Sequence, residues 1–258
     1  MKLGLDGARV LVTAGASGIG LATVRAFLAE GACVHVCDVD QSALDALANS
    51  APPVTRSVCD VADAAAVDRL FETITSSLGG LDVLVNNAGI AGPTARCEDV
   101  SQSDWERTLA VNLTGQFLCA RRAIPMLRAS RNASIANLSS AAGRFGFPMR
   151  TPYAASKWAV IGFSRSLSIE LGADGIRVNA ICPGSVAGPR IDAVFASKAK
   201  ARGISPEQVR AEALAKTSLG QLIEPEDIAH AIVFLASRAG ARISGQALGV
   251  DADVQALV

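Results

Sequence analysis

Short apolar runs alternate with longer segments of helical period along most of this chain, and that alternation limits the folds open to it. The apolar runs predict seven strands, at residues 9–13, 33–37, 54–58, 81–85, 134–138, 176–181 and 247–250. Helical periodicity lies between them, for example at residues 64–78, 104–130, 152–171 and 225–237. Parallel strands need crossover connections, which helices supply on both faces of a sheet. The sequence therefore predicts one α/β domain over residues 1–258, a doubly wound seven-stranded parallel sheet.

The region from 184 to 222 departs from this alternation. Two short, charged helical patterns follow each other there without an intervening apolar strand. Connections of this length inside a compact domain commonly bind a ligand or close over a site. We therefore expect a substrate lid at about 184–222.

Composition excludes several classes of partner. The 24 lysines and arginines equal the 24 aspartates and glutamates, so no net charge attracts nucleic acid or an anionic membrane. No uncharged stretch stays apolar for the roughly 20 residues of a membrane span, and Lys2, Asp6 and Arg9 interrupt the position of a signal peptide. The six cysteines are dispersed without a CxxC pair, which predicts a reducing, cytoplasmic compartment and no metal site. A small-molecule partner fits this composition.

A glycine-containing turn, Thr13–Gly20 (TAGASGIG), stands between the first predicted strand and the first predicted helix. Gly15, Gly18 and Gly20 allow the backbone to turn tightly, to approach a pyrophosphate and to pack the helix closely on the strand. The N–H groups at the N-terminus of that helix face the anion. A purely structural turn is the alternative, but the strand-turn-helix context favours a dinucleotide-binding Rossmann fold.

Asp38 ends the second predicted strand, where a carboxylate can accept hydrogen bonds from an adenosine ribose. This carboxylate would repel the additional phosphate of NADP. Its neighbours Cys37 and Val39, and Ser17 in the turn, supply no positive charge to bind that phosphate. NAD is therefore the predicted cofactor, and a solvated acid at a strand end is the alternative.

Tyr153 and Lys157 lie four residues apart on a predicted helix, so their side chains share one face. An unperturbed tyrosine has a pKa of about 10, and a nearby ammonium group lowers it. Tyr153 could then act as a general base in the oxidation of an alcohol and as a general acid in the reverse reduction. The spacing alone is equally compatible with a surface pair.

Two further polar residues are candidates for the same site. Ser140 follows a predicted strand at the carboxyl edge of the sheet, where its hydroxyl can hold a substrate oxygen, and the adjacent Ser139 is the competing candidate. Asn112 faces the sheet with the apolar stripe of its helix, so its amide needs buried partners. The residues alone leave open whether Asn112 only braces the helix.

Together these residues resemble the motifs of the short-chain dehydrogenase/reductase family over essentially the whole chain. The resemblance covers the glycine turn, Asp60-Val61, Asn86-Asn87-Ala88-Gly89, Asn112, Ser140, the Tyr153-x-x-x-Lys157 pair and Pro183-Gly184. It implies a catalytic set of Asn112, Ser140, Tyr153 and Lys157, and it favours Ser140 over Ser139. It also implies that Asp60 and Val61 contact the adenine, that Lys157 holds the nicotinamide ribose and that Asn112 holds a water that relays protons. The predicted cofactor-binding residues are Gly15, Ser17, Gly18, Ile19, Gly20, Asp38, Asp60, Val61, Asn87, Ala88, Gly89, Tyr153, Lys157, Pro183, Gly184 and Val186.

Three positions depart from the family pattern. Ala14 stands where a glycine usually follows the threonine, which makes the turn stiffer. Gly188 replaces a threonine that often bonds the nicotinamide carboxamide, so that contact is not expected here. Asp251-Ala252-Asp253 stands where the family usually has a glycine-containing segment after its final strand.

The resemblance also implies an assembly. Tetramers of this family often pack through the edge formed by the final strand, so we expect a homotetramer or a homodimer.

The residues between Ser140 and Tyr153 are predicted to line the substrate pocket. Apolar side chains there accompany Arg144 and Arg150, and such a pocket suits a small alcohol that carries a carboxylate or a phosphate. Residues 188–220 add six basic and three acidic side chains. The simplest explanation of those charges is the solvated face of lid helices.

The sequence thus predicts an oxidoreductase that transfers hydride between a secondary alcohol, or its ketone, and NAD, with Tyr153 as general acid/base. The alternative is a catalytically idle NAD-binding regulator, which would have no need of the complete catalytic set. A sugar-nucleotide epimerase or dehydratase of the related longer chains is disfavoured, because no separate substrate domain remains after residue 250. The alcohol itself is not specified by the sequence.

Overall fold

The computed structural model describes residues 3–50 and 54–258, with side chains described for 3–47 and 54–258. Its strands are β1 (Arg9–Thr13), β2 (Cys33–Asp38), β3 (Thr55–Val58), β4 (Val83–Asn86), β5 (Ser134–Leu138), β6 (Arg177–Pro183) and β7 (Ala247–Val250). Its α-helices are α1 (Gly18–Ala29), α2 (Gln41–Ser50), α3 (Ala64–Leu78), α4 (Gln102–Leu109), α5 (Gly115–Leu127), α6 (Thr151–Glu170), α7 (Pro189–Arg202), α8 (Pro206–Leu214) and α9 (Pro225–Ala236). Residues 1, 2 and 51–53 of the predicted unit lie outside the described part.

The strands form a parallel sheet in the order β3-β2-β1-β4-β5-β6-β7. The strand order reverses between β1 and β4, so the chain winds outward on either side of that pair. In open parallel sheets, ligands bind at the carboxyl ends of the strands beside such a reversal. Within the described residues, the prediction of a doubly wound seven-stranded parallel sheet is confirmed.

Helices cover both faces of the sheet because successive strand residues point to opposite sides. On one face, Val10 and Val12 of β1 belong to a buried core that includes α1, α2 and α9. On the other face, Leu11 belongs to a second buried core with α3, α5 and the end of α6. A parallel sheet buried on both faces explains why its strands read as nearly continuous apolar runs.

The predicted helix over 104–130 is interrupted in the structure, which corrects that expectation. A π-helical turn at Ala110–Thr114 separates α4 from α5. Asn112 lies in this turn and bonds the main chain of Ile90 on the loop after β4. Turns of this kind occur frequently at functional sites. The apolar periodicity of the sequence continues through this turn, so it does not indicate where the helix is interrupted.

The segment at 184–222 contains α7 and α8, in agreement with its two helical patterns. Pro189 and Pro206 begin these helices, where the missing N–H of proline costs no helical hydrogen bond. Phe195 and Val209 belong to a small buried cluster between the two helices. The segment is therefore a packed helical pair with an apolar interior of its own.

Two structural absences apply to the described residues. None of their helices is long and apolar enough to span a membrane. Nor do three or more of their histidine, cysteine, aspartate and glutamate side chains group as a metal site would require. The six cysteines are free thiols.

Candidate active site

A cavity of about 670 Å³ opens at the carboxyl edge of the sheet, beside the strand reversal. Residues at or just after the ends of β1, β2, β3, β4, β5 and β6 line it, together with the start of α7. Its volume is typical of small-molecule sites. Most of the predicted cofactor-binding and catalytic residues line this one cavity. The predicted residues outside its lining are Gly15, Gly20, Asn112 and Arg144.

The glycines of the turn serve two purposes. A Cβ on Gly15 would lie 2.7 Å from Val36, and a Cβ on Gly20 would collide with the carbonyl oxygen of Ala14. These two glycines therefore let the turn and α1 pack closely on the sheet. Gly18 has a φ of +51°, and an added Cβ there would meet no atom within 4 Å. The open space beside Gly18 lies at the N-terminus of α1, where an anion can approach main-chain N–H groups.

Ala14 lines the cavity in a left-handed conformation, with a φ of +49°. Its carbonyl oxygen accepts a hydrogen bond from Asn87 Nδ2 at 2.9 Å, and the next N–H, of Gly15, donates to Cys37 O at 3.2 Å. These bonds hold an alanine in a conformation that favours glycine. The turn that the sequence predicts to be stiff is thus also strained.

Asp38 lies at the end of β2 and is 9% exposed. Its Oδ2 accepts a hydrogen bond from the Ala16 N–H and its Oδ1 from the Asp40 N–H, both at 3.2 Å. The carboxylate is thereby fixed against the glycine turn on the cavity wall. The next residue, Val39, is 62% exposed and brings no charge to this end of the cavity.

Asp60 and Val61, which follow β3, also line the cavity. Asp60 Oδ1 accepts a hydrogen bond from the Ala62 N–H, and its Oδ2 accepts one from Arg107 Nη2, both at 2.9 Å. Arg107 of α4 lines the cavity as well, and the sequence motifs gave no indication of it. An adenine bound at this end would meet an ion pair in place of a lone carboxylate.

The loop after β4 is tied to the end of β1. Asn87 Nδ2 donates to the carbonyl oxygens of Thr13 and Ala14, both at 2.9 Å. The same loop places Gly89 beside Lys157, since a Cβ on Gly89 would lie 3.4 Å from Lys157 Nζ. The motif after the fourth strand therefore supports the turn and borders the cavity.

Lys157 projects from α6 into the cavity and is only 3% exposed. Its Nζ donates to the carbonyl oxygen of Leu138 at 2.7 Å and lies 5.7 Å from the centre of the Tyr153 ring. The ammonium group of Lys157 is therefore buried and bonded to a carbonyl oxygen at the end of a strand. Tyr153 and Lys157 do not form the surface pair that their spacing alone would also allow.

The surroundings of Tyr153 favour its ionised form. Burial acts against ionisation, but the charges of Lys157, Arg190 and Arg150, with a hydrogen bond from Ser140, together lower the pKa of the phenol. Burial lowers the pKa of Lys157, and its attraction to Tyr153 opposes that change. A phenol whose pKa is lowered by neighbouring cations is suited to proton transfer near neutral pH.

The structure separates the roles of the two candidate serines. Ser139 Oγ donates to the main-chain oxygen of Lys157 at 2.8 Å and is buried, so it fixes α6 against the end of β5. Ser140 Oγ accepts a hydrogen bond from the Ala142 N–H at 3.1 Å and is close enough to Tyr153 to lower the pKa of its phenol. Ser140 is thus the serine positioned at the phenol.

Asn112 lies behind the cavity wall and is fully buried. Its Oδ1 accepts a hydrogen bond from the Ile90 N–H at 2.7 Å, while its Nδ2 donates to Ile90 O at 3.0 Å and to Ser156 Oγ at 3.1 Å. The side-chain amide therefore joins the π-helical turn, the loop after β4 and α6. This is the bracing role that the sequence left open, and it uses both N–H groups of the amide and one lone pair of its oxygen.

The two arginines predicted at the substrate lie in different places. Arg144 is outside the cavity lining, and its Nη1 donates to Asp251 Oδ2 at 2.9 Å. Arg150 lines the cavity, with its guanidinium 5.3 Å from the centre of the Tyr153 ring. Arg190, which the sequence did not single out as a site residue, also lines it. Its position just after Pro189, a typical first residue of a helix, was the available signal.

The residues after β6 complete the wall. Pro183, Gly184 and Val186 line the cavity as predicted. A Cβ on Gly184 would lie 2.8 Å from Asp251 Cα, so only glycine allows this packing. Gly188, at a φ of +131°, precedes α7 and offers no side-chain hydroxyl.

Known proteins share this sequence pattern and architecture over nearly the whole chain. A family model described as enoyl-(acyl carrier protein) reductase matches residues 13–253. The 3-oxoacyl-(acyl-carrier-protein) reductase of Thermotoga maritima is 37% identical over 251 residues, 96% of this chain and 97% of that protein. The cis-4-hydroxycyclohexanecarboxylate dehydrogenase of Sinomonas cyclohexanicum is 36% identical over 244 residues, 93% of this chain and 94% of that protein. The solved structure of NAD+-bound xylitol dehydrogenase matches with a TM-score of 0.91 at 26% identity, covering 96% of this chain and 98% of the other.

Proposed function

Because the chain belongs to the short-chain dehydrogenase/reductase family, we propose that it transfers hydride between a secondary alcohol, or its ketone, and NAD, with Tyr153 as general acid/base. One observation carries the proposal. Tyr153 lies beside Ser140 and Lys157 in the same cavity as the glycine turn and Asp38. A proton-transfer group and a dinucleotide-binding turn are thus brought to one site.

The residues present fit a nicotinamide dinucleotide. Gly18 leaves open space at the N-terminus of α1, where main-chain N–H groups can bind a pyrophosphate. Asp38 would accept hydrogen bonds from the adenosine ribose, and Lys157 would hold the nicotinamide ribose. When bound, the cofactor supplies the acceptor or the donor of hydride.

The chain's own residues handle the proton. In oxidation, Tyr153 takes the hydroxyl proton of the alcohol, and in reduction it returns a proton to the ketone oxygen. Lys157 favours the phenolate by its charge. Ser140 would hold the substrate oxygen as negative charge develops on it. Asn112 positions the loop after β4 and α6 through its amide.

We assign NAD in preference to NADP on the basis of Asp38. Its carboxylate lies at the cavity wall, where it would repel a phosphate on the ribose. The exposed neighbour Val39 offers such a phosphate no positive charge. The NAD+-bound xylitol dehydrogenase of similar structure supports this assignment.

We assign the lid role to the helical pair of residues 184–222. Arg190, in the first turn of α7, donates from Nη1 to Gly89 O at 3.0 Å and so reaches from this segment to the loop after β4. Both residues of this contact line the cavity that contains Tyr153. The names of the relatives include a hydroxy acid and a polyol, so they do not define one class of alcohol.

A homotetramer or a homodimer is the assembly we propose. Trp105, Phe117 and Trp158 are between 38% and 53% exposed on α4, α5 and α6. Large apolar side chains exposed on neighbouring helices are typical of contacts between subunits. Sedimentation analysis would test this assembly, and the cytoplasmic location predicted from the cysteines stays a prediction.

The test of the activity is NADH formation by the wild-type protein and Tyr153→Phe across a panel of secondary alcohols, with NAD and separately with NADP. We expect turnover with NAD that falls by about 100- to 10,000-fold in Tyr153→Phe, because the proton-transfer group is lost while the ring remains. NAD affinity, measured by calorimetry, should change little. Tight NAD binding without turnover of any alcohol by the wild-type protein would instead favour an NAD-binding regulator.

A further inference from the structure

The end of the cavity that contains Tyr153 is lined by cations without acids. Arg150, Lys157 and Arg190 line it there. The acidic residues of the lining are Asp38, the last residue of β2, and Asp60, which follows β3. Within the described part of the chain, none of the three cations forms an ion pair with a carboxylate. The described residues thus supply no carboxylate partner for Arg150 at this end of the cavity.

Arg150 is the most deeply buried of the arginines at this site, at 2% exposure. Its Nη2 donates to Ala91 O at 2.7 Å and its Nη1 donates to Thr94 Oγ1 at 3.3 Å, but its Nε has no hydrogen-bond partner. The guanidinium lies 5.5 Å and 5.3 Å from the ring centres of Phe147 and Tyr153. Bonds to a carbonyl and a hydroxyl need only a neutral donor, so bracing this loop does not account for a buried positive charge with an unused N–H.

Two further cations lie close enough to Arg150 to interact with its charge. Arg190 is exposed, so its side chain can leave Gly89 O and turn toward a ligand at little cost. Lys198 of α7 is 3% exposed and its Nζ lies 3.8 Å from the centre of the Phe147 ring. Burial, with the charges of Arg150 and Arg202, lowers the pKa of Lys198 to about 8. The Nζ of Lys198 donates to the main-chain oxygen of Val258, so Lys198 has a partner within the chain, and Arg150 and Arg190 are the groups proposed to bind an anion.

We propose that Arg150 and Arg190 bind an oxyanion of the substrate, such as a carboxylate, a few bonds from the alcohol carbon that reacts at Tyr153. This inference rests on the proposed function, since it names the substrate class of the same site. Guanidinium groups bind such oxyanions through paired hydrogen bonds, and the Nε of Arg150 supplies one of the donors. The pyrophosphate of the cofactor has its own place at the N-terminus of α1 and leaves this subsite to the substrate.

The test uses pairs of alcohols that differ only in charge, namely lactate and β-hydroxybutyrate against their methyl esters. The measured quantity is the ratio of kcat/KM for the acid to kcat/KM for its ester. We expect the wild-type protein to prefer the acid and Arg150→Gln to lower the ratio by about 10- to 100-fold, with a smaller loss in Arg150→Lys. Arg190→Gln should lower it less, because that side chain is exposed.

Two controls separate the site from its surroundings. Lys200→Gln removes an exposed positive charge from the same helix as Arg190 and should leave the ratio unchanged. Arg144→Gln removes the other arginine of the segment before Tyr153, which lies outside the cavity. A ratio equal in wild-type and Arg150→Gln, or lowered only by Arg144→Gln, overturns the inference. Retained turnover of the ester by Arg150→Gln shows that this variant is folded, and Arg190→Gln gives a second, exposed test position.

A binding measurement distinguishes failure of this inference from failure of the proposed activity. Calorimetry of the NADH-saturated protein compares butyrate with butyramide, which have the same shape and differ in charge. Tighter binding of butyrate that is lost in Arg150→Gln supports the anion subsite even where no alcohol is oxidised. Equal binding of the two, or binding of neither, overturns it. If Arg190→Gln changes the affinity for NAD but not the affinity for butyrate, Arg190 contacts the cofactor and is not part of the anion subsite.

Discussion

The two ends of the cavity carry opposite charge and are built in different ways. At one end, Asp38 and Asp60 follow successive strands, and main-chain N–H groups hold each carboxylate. At the other end, Arg150 and Arg190 come from the segment before α6 and from the start of α7, and carbonyl oxygens hold them. The carboxylates of the first end have partners within the chain, whereas the two arginines of the second end have no carboxylate partner, which is why the proposed anion subsite lies at the second end.

Reversing the charge at the acidic end should have the largest effect among the following changes. The double variant Asp38→Asn, Val39→Arg keeps a side-chain oxygen for the Ala16 N–H and adds a cation at an exposed position. We expect the ratio of kcat/KM for NADP to that for NAD to rise by about 10- to 100-fold, because a phosphate gains a partner and loses a repelling charge. Asp38→Asn alone is the matched control and should give part of the rise. An unchanged ratio would remove Asp38 from cofactor selection.

Removing a charge at the basic end should move the pH dependence. In the proposed function, oxidation requires the phenolate of Tyr153, so the oxidation rate is expected to rise as pH passes the pKa of the phenol. Arg190 lowers that pKa, and Arg190→Gln should therefore move the rising limb of the oxidation profile to higher pH. The falling limb of ketone reduction should move in the same direction.

Profiles of kcat/KM against pH, measured with a neutral alcohol, would check this shift without interference from an anion. Lys200→Gln, an exposed lysine on the same helix, should leave the profile in place. If Arg190→Gln leaves the limb where it is, the charge of Arg190 does not act on Tyr153.

The smallest effect is expected from the glycine turn, where stability is the measured quantity. Ala14→Gly relieves a left-handed alanine, but it also gives the unfolded chain more freedom. We expect the free energy of unfolding to rise by less than about 1 kcal/mol. Ala16→Gly, in the same turn but without a positive φ, should lower it. Urea denaturation of both variants would check the sign, and destabilisation by Ala14→Gly would show that the left-handed strain costs little.

Much of the fold was predictable because it depends on neighbours in sequence. The run RVLVT at 9–13 and the apolar spacing through 64–78 identify a strand and a helix wherever they lie in space. The glycine turn was recognised for the same reason. The sequence did not predict the π-helical turn at Ala110–Thr114. Asn112 in this turn bonds to Ile90, which lies 22 residues earlier on the loop after β4, and the local pattern contains no sign of that contact.

The sequence by itself determined the strand and helix alternation, the glycine turn, Asp38 and the helical spacing of Tyr153 and Lys157. Only the tertiary structure decided that Lys157 is buried, that Ser139 supports α6 while Ser140 faces the phenol, and that Arg150 and not Arg144 lines the cavity. Periodicity and turns follow from local backbone geometry, whereas the direction and counter-ions of a side chain depend on which distant segments pack around it. Arg190 is the clearest case, because its partner at Gly89 lies 101 residues away along the chain.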